Sequence, residues 1–427
     1  MPVTESIQHA LQDAFSALFS SETRLYRLQS DGEASGLLVE SWSQREALSQ
    51  PWELQISALS TSAGLDLHAL LGQRVDLLTT LADGRSEHPR SGIVTAASAL
   101  AADGGFARYR LTVRPWLALL AHGARSAVWQ EKSVVEIVDS VFGAYSAHAA
   151  WVWSPCASQH LAQSHQGGLR STTVQYRESD LAFVSRILAR EGLIYRFEVD
   201  NATPLGHKLV ILTDTTQAAS TPEDATSSAA SGIRFHRASS QEQQDAIQVL
   251  GGLRQLQAAV SSTVVWDYKR KQGVAASVPT AAAFAGPNAP RLVQFEPEAD
   301  YRFADEADAQ RAMTLAQQAL EARHKTWLGR STVRTFGAGT RFQLTQSTLD
   351  VLAALSVGGS GGGSGSDQTR FLLTAVVHAG INNLPKDLSA RIAQALDSAD
   401  PTDEQQAPLA DWVAPEVAEQ ARKSGYG

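Results

Sequence analysis

From Leu25 to Trp116 the chain is a succession of short runs in which apolar and polar residues alternate, broken by turn residues. Trp52, Leu54 and Ile56 are spaced two apart, as are Val75 and Leu77 after Gly72 and Tyr109, Leu111 and Val113, while Ile93 follows Gly92. A period of two puts one face of a strand against a core and the other in water. The spacing therefore predicts a small antiparallel β-domain, a barrel or a sandwich. Pro115 ends this stretch and the period lengthens. Ser133 and Glu136 have the spacing of a capping box, Val134, Ile137, Val138 and Val141 form one stripe, and Gly143 is placed to stop a helix. A second domain starts near residue 118.

Tyr176-Arg177-Glu178-Ser179-Asp180 places two carboxylates just ahead of an apolar run. Ser179 is a favoured N-cap, and Asp180 would lie at the positive end of the helix dipole. Leu181, Val184, Ile187 and Leu188 share a face, Ser185, Arg186 and Arg190 lie opposite, and Gly192 follows as the C-cap. Leu193, Tyr195 and Phe197 then alternate as a strand. Glu178 and Asp180 are read as helix-start residues and not as a catalytic pair, because general acid–base work needs convergent side chains in a cleft.

Further along, 215–231 is small and polar without an apolar period, which predicts an exposed mobile loop. Met313, Ala316, Leu320 and Arg323 recur at helical spacing and predict a long surface helix between Ala304 and Trp327. Val357 to Ser366 is a flexible Gly/Ser stretch between two strand-like runs, Arg341 to Thr345 and Arg370 to Val377, either a natural insertion or an engineered replacement of one. At the start, Ile7, Leu11, Ala14, Phe15, Leu18 and Phe19 line one face of a short helix within residues 1–21.

Composition narrows the function classes. With 427 residues, 43% hydrophobic and 19% charged, the chain has material for about three packed domains. A net charge of −8 without a basic stripe disfavours nucleic acid. The one cysteine, Cys156, excludes an internal disulfide framework and reads as a small buried hydrophobe. No window approaches the ~18 apolar residues of a membrane span. The start lacks the basic residues of a secretory signal.

Several stretches imitate chemical sites. Gly358 to Gly362 satisfies G-x-S-x-G but has no strand before it and no helix after it. Cys156, His160 and His165 match no standard metal spacing. Trp151 and Trp153 read as a half-buried strand before a sugar platform. His378 has no nucleophile with a helix-entry context beside it and reads as a packing or hydrogen-bonding residue. No catalytic residue, cofactor or metal is assigned.

The run Val174 to Arg186, continued by Glu191-Gly192-Leu193-Ile194-Tyr195-Arg196-Phe197-Glu198, resembles the signature of the VgrG family of type VI secretion spike proteins. Five further segments follow the family order. They are Glu46 to Glu53 with Pro51, where Trp52 stands in place of the usual Phe; Arg90 to Val94 with Gly92; Arg114 to Leu120 with Pro115 and Trp116; Val128 to Gln130 with the helix after it; and Phe371 to Leu384 with His378, Asn382 and Asn383. The motif residues taken as structural are Pro51, Gly92, Pro115, Trp116, Tyr176, Glu178, Ser179, Asp180, Phe183, Arg186, Glu191, Gly192, His378, Asn382 and Asn383. A His-Pro that many relatives carry after Thr345 is replaced here by Gln346, Ser347 and Thr348.

The resemblance implies a mixed, mainly β fold similar to the hub of contractile phage tails. It would have two tube-like antiparallel β-barrels with an α/β insertion domain, and three chains forming a pseudo-sixfold ring. The implied division is an N-terminal helix 1–21, a first barrel 22–117, the insertion 118–200, a second barrel 201–384 with long loops and a surface helix, and a C-terminal segment 385–427. Implied partners are two further copies in a homotrimer, the hexameric Hcp tube, baseplate components, and a PAAR tip and effectors reached through a spike beyond Gly427, where the chain reads as truncated. It would stay in the cytoplasm until fired and then leave without a signal peptide. The nearer alternative is a hub of a contractile phage tail or phage-derived particle. The distant one is a cell-wall hydrolase using Glu178 and Asp180.

Overall fold

The computed structural model describes residues 24–103, 106–164, 169–217, 219–236, 244–267, 270–281, 290–297, 303–345, 370–385 and 388. The helix expected within 1–21, His165, the Gly/Ser stretch 357–366 and nearly all of 385–427 lie outside them. Six strands open the chain: β1 (Tyr26–Gln29), β2 (Leu38–Ala47), β3 (Glu53–Ser60), β4 (Arg74–Thr80), β5 (Glu87–Asp103) and β6 (Phe106–Arg114). They form one antiparallel sheet with the last strand, β20 (Ala375–Ile381), in the order β1-β4-β5-β6-β3-β2-β20. The alternating residues do what their period predicts. Leu54, Ile56, Val75, Leu77, Leu111 and Val113 are all fully buried in a single core.

The insertion follows. Strands β7 (Ala124–Ser133) and β9 (Leu169–Ser179) pair as an antiparallel ribbon. Strands β8 (Trp151–Trp153), β10 (Ile194–Val199) and β11 (His207–Leu212) make a small sheet in which β8 runs parallel to β11. Helices α1 (Val134–Gly143), α2 (Pro155–Ala162) and α3 (Asp180–Arg190) bury their apolar stripes between these sheets. At Ser133 both halves of the capping box are made, and Ser179 Oγ accepts the Ala182 N–H at 3.1 Å. Gly192 takes φ +69°, the left-handed conformation that ends a helix most readily at glycine.

The rest is built from short sheets. Strands β12 (Ile233–Arg234), β18 (Arg341–Thr345) and β19 (Arg370–Leu372) form one, β13 (Ile247–Arg254) and β17 (Lys325–Ser331) a second, and β15 (Gln272–Pro279), β14 (Val260–Asp267) and β16 (Val293–Phe295) a third. Ile233, Ile247, Val333, Phe336, Phe342 and Leu344 form a core of their own. The expected long helix is Glu306–His324, which with α4 (Ala225–Ala230) before it is named α5; it packs Ala309 and Met313 against β14 and β15.

Two expectations are revised. The run Arg370 to Val377 is not one strand: it breaks at Leu373 and Thr374, whose carbonyls accept from Gly339 and Leu48, and its halves enter different sheets. Strand β20 thereby lies in the first sheet. The polar stretch 215–231 is not an exposed loop either. Ser220, Thr221, Asp224 and Ser227 are buried, Asp224 caps α4, and Thr335 Oγ1 donates to its carboxylate at 2.9 Å. Polar side chains can be buried when neighbouring segments satisfy them.

Candidate functional site

The motif around Tyr176–Asp180 folds into a knot of satisfied charges. Asp180 begins α3 and is 4% exposed. Its Oδ1 accepts from Arg125 Nε at 2.9 Å and Gln175 Nε2 at 2.8 Å, and its Oδ2 accepts from the Tyr145 hydroxyl at 2.9 Å. Its own N–H reaches the Gly123 carbonyl at 2.8 Å. Burial, and then the bond to Asp180, push the Tyr145 phenol up to about 12. Glu178 is held by Arg186, whose Nε donates to it at 3.2 Å and whose Nη2 also reaches the Val174 carbonyl at 3.1 Å. The guanidinium lies 5.4 Å from the Phe183 ring centre, and that ring stacks on Trp129. Both carboxylates are thus committed to cations and to the fold, and they face different partners. Nothing here converges on a substrate as an acid–base pair must.

Two motif members behave differently. Tyr176 is 68% exposed, because the β7–β9 register slips at this point and Arg177 adopts φ +51°. Glu191 binds Arg170 at 2.5 Å and stands 3.7 Å from Arg311 of α5. Beside it a Cβ on Gly192 would meet Leu315 of α5 at 2.6 Å, so the end of α3 is fitted to that helix.

The junction between first sheet and insertion is built on Trp116. Pro115 precedes the short helical turn Trp116–Ala121, and the fully buried Trp116 ring meets Phe142 edge-on at 4.9 Å. The backbone N–H of Trp116 donates to Nε2 of the buried His207 at 3.3 Å, while Nδ1 of the His207 ring donates to the Ser91 and Leu205 carbonyls. Burial holds His207 down to about 4, as its accepting Nε2 requires. Gly92 beside Ser91 leaves no room for a side chain: a Cβ would sit 2.5 Å from the Trp52 ring and 2.7 Å from the Arg114 carbonyl. Pro51, in the β2–β3 turn, follows Ser49, whose φ of +59° sets its N–H on the Tyr195 carbonyl.

The third group closes the first sheet. Asn382 Nδ2 donates to the carbonyls of Tyr26 at 2.9 Å and Val39 at 2.7 Å, and its Oδ1 accepts the Tyr26 N–H at 3.3 Å. Asn383 Oδ1 accepts the Leu25 N–H at 2.9 Å. The two end strands, β1 and β20, are thus clipped together by side chains.

Four residues earlier, on β20, His378 Nε2 donates to the Phe336 carbonyl at 2.8 Å and the ring stacks on Trp42. Arg90 lies over the same indole at 4.7 Å and donates to Thr79 Oγ1 and the Arg334 carbonyl. Burial, with Arg90 close by, holds His378 and His88 down to about 3 and pushes Glu46 up to about 7 against the pull of that cation.

Sequence reading singled out the motif residues but missed most of their partners. Arg125, Tyr145, Tyr26 and His207 carry no local signal, since each meets its partner through the fold; Arg90 and Glu46 lie in segments the sequence singled out, but their pairing does not show there. Trp151 and Trp153 do lie on a strand, and both indole N–H groups donate to Asp139 Oδ1, at 2.7 and 2.9 Å. Cys156 is buried against Ser154 and Ser220. Among the described residues no three His, Cys, Asp or Glu side chains are grouped to hold a metal.

Comparison with known proteins places this geometry. The chain is 33% identical over 178 residues to the type VI secretion system spike protein VgrG1b of Pseudomonas aeruginosa, covering 42% of this chain and 23% of that protein. It is 32% identical over 186 residues to VgrG1c of the same organism, covering 44% and 24%. The matched stretches thus span less than a quarter of the length of these curated relatives. Among solved structures, an E. coli component of the type VI secretion system, described as similar to the T4 bacteriophage tail proteins gp27 and gp5, superposes with a TM-score of 0.52 at 17% identity over 83% of this chain and 73% of that one. A prophage MuSo2 43 kDa tail protein from Shewanella oneidensis also gives 0.52, at 10% identity, over 84% and 96%. These likenesses extend to the fold. The phage tail baseplate hub (GPD) family model matches residues 45–384, from within β2 to the residue after Asn383, and the chain belongs to that family.

Proposed function

We propose that this chain is the hub portion of a type VI secretion spike: three copies form a ring that stacks on the hexameric Hcp tube within the baseplate and is driven outward with it when the sheath contracts. The observation that carries the reading is the closure of the first sheet by Asn382 and Asn383 within a chain of the hub family, together with the resemblance to spike proteins. Closure removes the free strand edges of the first sheet, which would otherwise be sites of unwanted pairing. The division at 21, 117, 200 and 384 belongs to this proposal, as do the structural roles of the motif residues. So do baseplate contacts, delivery of effectors through a PAAR-tipped spike, and release from the cytoplasm through the type VI apparatus. Among the described residues no helix is long and apolar enough to cross a membrane.

The part is mechanical. Glu178 and Asp180 serve the fold, so the reading predicts no turnover of peptidoglycan. The test is co-sedimentation of the purified chain with assembled Hcp tubes. Binding at tube ends, seen by negative-stain microscopy, supports the spike hub. Absence of binding to Hcp, with binding to a phage tail tube, favours the phage-tail hub instead.

A further inference from the structure

Among the described residues, the sheet β15-β14-β16 is covered on one side only. Ser261, Thr263 and Val265 of β14 point toward α5, and Ser261 Oγ donates to Gln317 Oε1 at 2.8 Å. The opposite face carries Val264 and Trp266, 38% and 51% exposed. Strand β16 runs parallel to β14 with Val293 level with Val260 and Phe295 level with Ser262, so both side chains join that same open face. They are 58% and 59% exposed, and every residue from 291 to 297 is exposed. Among the described residues, β16 is an end strand bonded to β14 alone.

Such a strand is poorly supported by its own chain. Ordering each residue costs about 1–2 kcal/mol, and three residues of pairing without burial return little of it. The four apolar side chains present roughly 400 Å², about half of what one partner buries in a standard interface. The patch holds no charge, a depletion typical of lasting interface cores. Its rim has both signs, with Arg291 leading into β16 and Glu296 leaving it, so the surface of a neighbouring copy is not repelled by an excess of either.

We infer that the open face made by Val264, Trp266, Val293 and Phe295 is where a second copy of this chain docks. The inference rests on the proposed hub for the number of copies and on the exposed apolar face for the location.

The test uses the full chain and the variants Trp266→Glu, Phe295→Glu and the double variant, with Val128→Glu on the β7–β9 ribbon as a control at another exposed apolar site. Light scattering gives the mass and circular dichroism the fold. The expected result is a wild-type mass about three times 45.7 kDa, reduced to one chain in the double variant and unchanged in Val128→Glu, with all spectra alike. Hydroxyl-radical footprinting of the wild type supplies a readout without mutation: Trp266 and Phe295 should be protected at high concentration and labelled on dilution. A monomeric wild type, an assembly that survives the folded double variant, or one broken by Val128→Glu overturns the inference. Tube binding is scored separately, so a chain that binds Hcp while its assembly ignores Trp266 and Phe295 refutes this surface and leaves the hub.

Discussion

Asn382 holds Tyr26 by both of its backbone polar groups, taking the N–H at 3.3 Å and giving to the carbonyl at 2.9 Å across 356 positions of sequence. A side-chain amide offers a donor and an acceptor in one plane, as a neighbouring strand does, and here it substitutes for one where β20 has ended. The Tyr26 ring then packs edge-on to Trp42 at 5.4 Å and closes over Gly380, where a Cβ would lie 2.6 Å from it.

Asn382→Ala should therefore open the seam. Four buried or half-buried backbone groups lose a partner, the Tyr26 N–H and carbonyl, the Val39 carbonyl and the Asn383 N–H, which costs about 2–4 kcal/mol. Asn382→Asp keeps the acceptor but sets a buried carboxylate oxygen against the Tyr26 and Val39 carbonyls, and should cost at least as much. Urea unfolding followed by tryptophan fluorescence measures the order; equal stability of the alanine variant and wild type would deny the seam any role.

Asp180→Asn leaves the Arg125 guanidinium without its carboxylate and the Tyr145 hydroxyl with a weaker acceptor. Arg125 is 37% exposed at its side chain, so water recovers part of the loss, and about 2–3 kcal/mol is expected. Ser179→Ala removes only the cap and should cost about 1 kcal/mol. The comparison is made in matched denaturant titrations, where the alanine variant should be the milder of the two.

Gly92→Ala drives a methyl group against the Trp52 ring and the Arg114 carbonyl. Overpacking of this kind costs about 1–3 kcal/mol. Trp52→Phe withdraws the ring but not the carbonyl, so the double variant should recover part of the loss. A thermal melt of all four proteins closes the cycle, and strict additivity would mean that the two positions do not meet.

Acid should weaken the fold below about pH 6.5. His88, His207 and His378 are held neutral to about 3, 4 and 3, while an unfolded chain protonates each near 6.5. The unfolded state then binds more protons, so stability is present above 6.5 and lost as pH falls toward those values, by up to about 1.4 kcal/mol per unit for each histidine. Glu46 runs the other way: raised to about 7, it favours the fold when protonated and contributes less as pH rises from 4.5 to 7. Unfolding free energies of His378→Gln between pH 4 and 7 should show a shallower slope than wild type.

What the sequence determined by itself is local. The period of two set which residues of β3, β4 and β6 face the core, and the caps at Ser133 and Ser179 and the stop at Gly192 placed helix ends, because each depends on neighbours within about four positions. Family motifs added the order of the parts. The tertiary structure alone decided which groups meet: Arg125 and Tyr145 at Asp180, Tyr26 at Asn382, and Thr335 at Asp224, in a segment whose composition reads as solvent-exposed. Those pairings depend on how distant strands register, and a polar residue is buried or exposed according to whether that register brings it a partner.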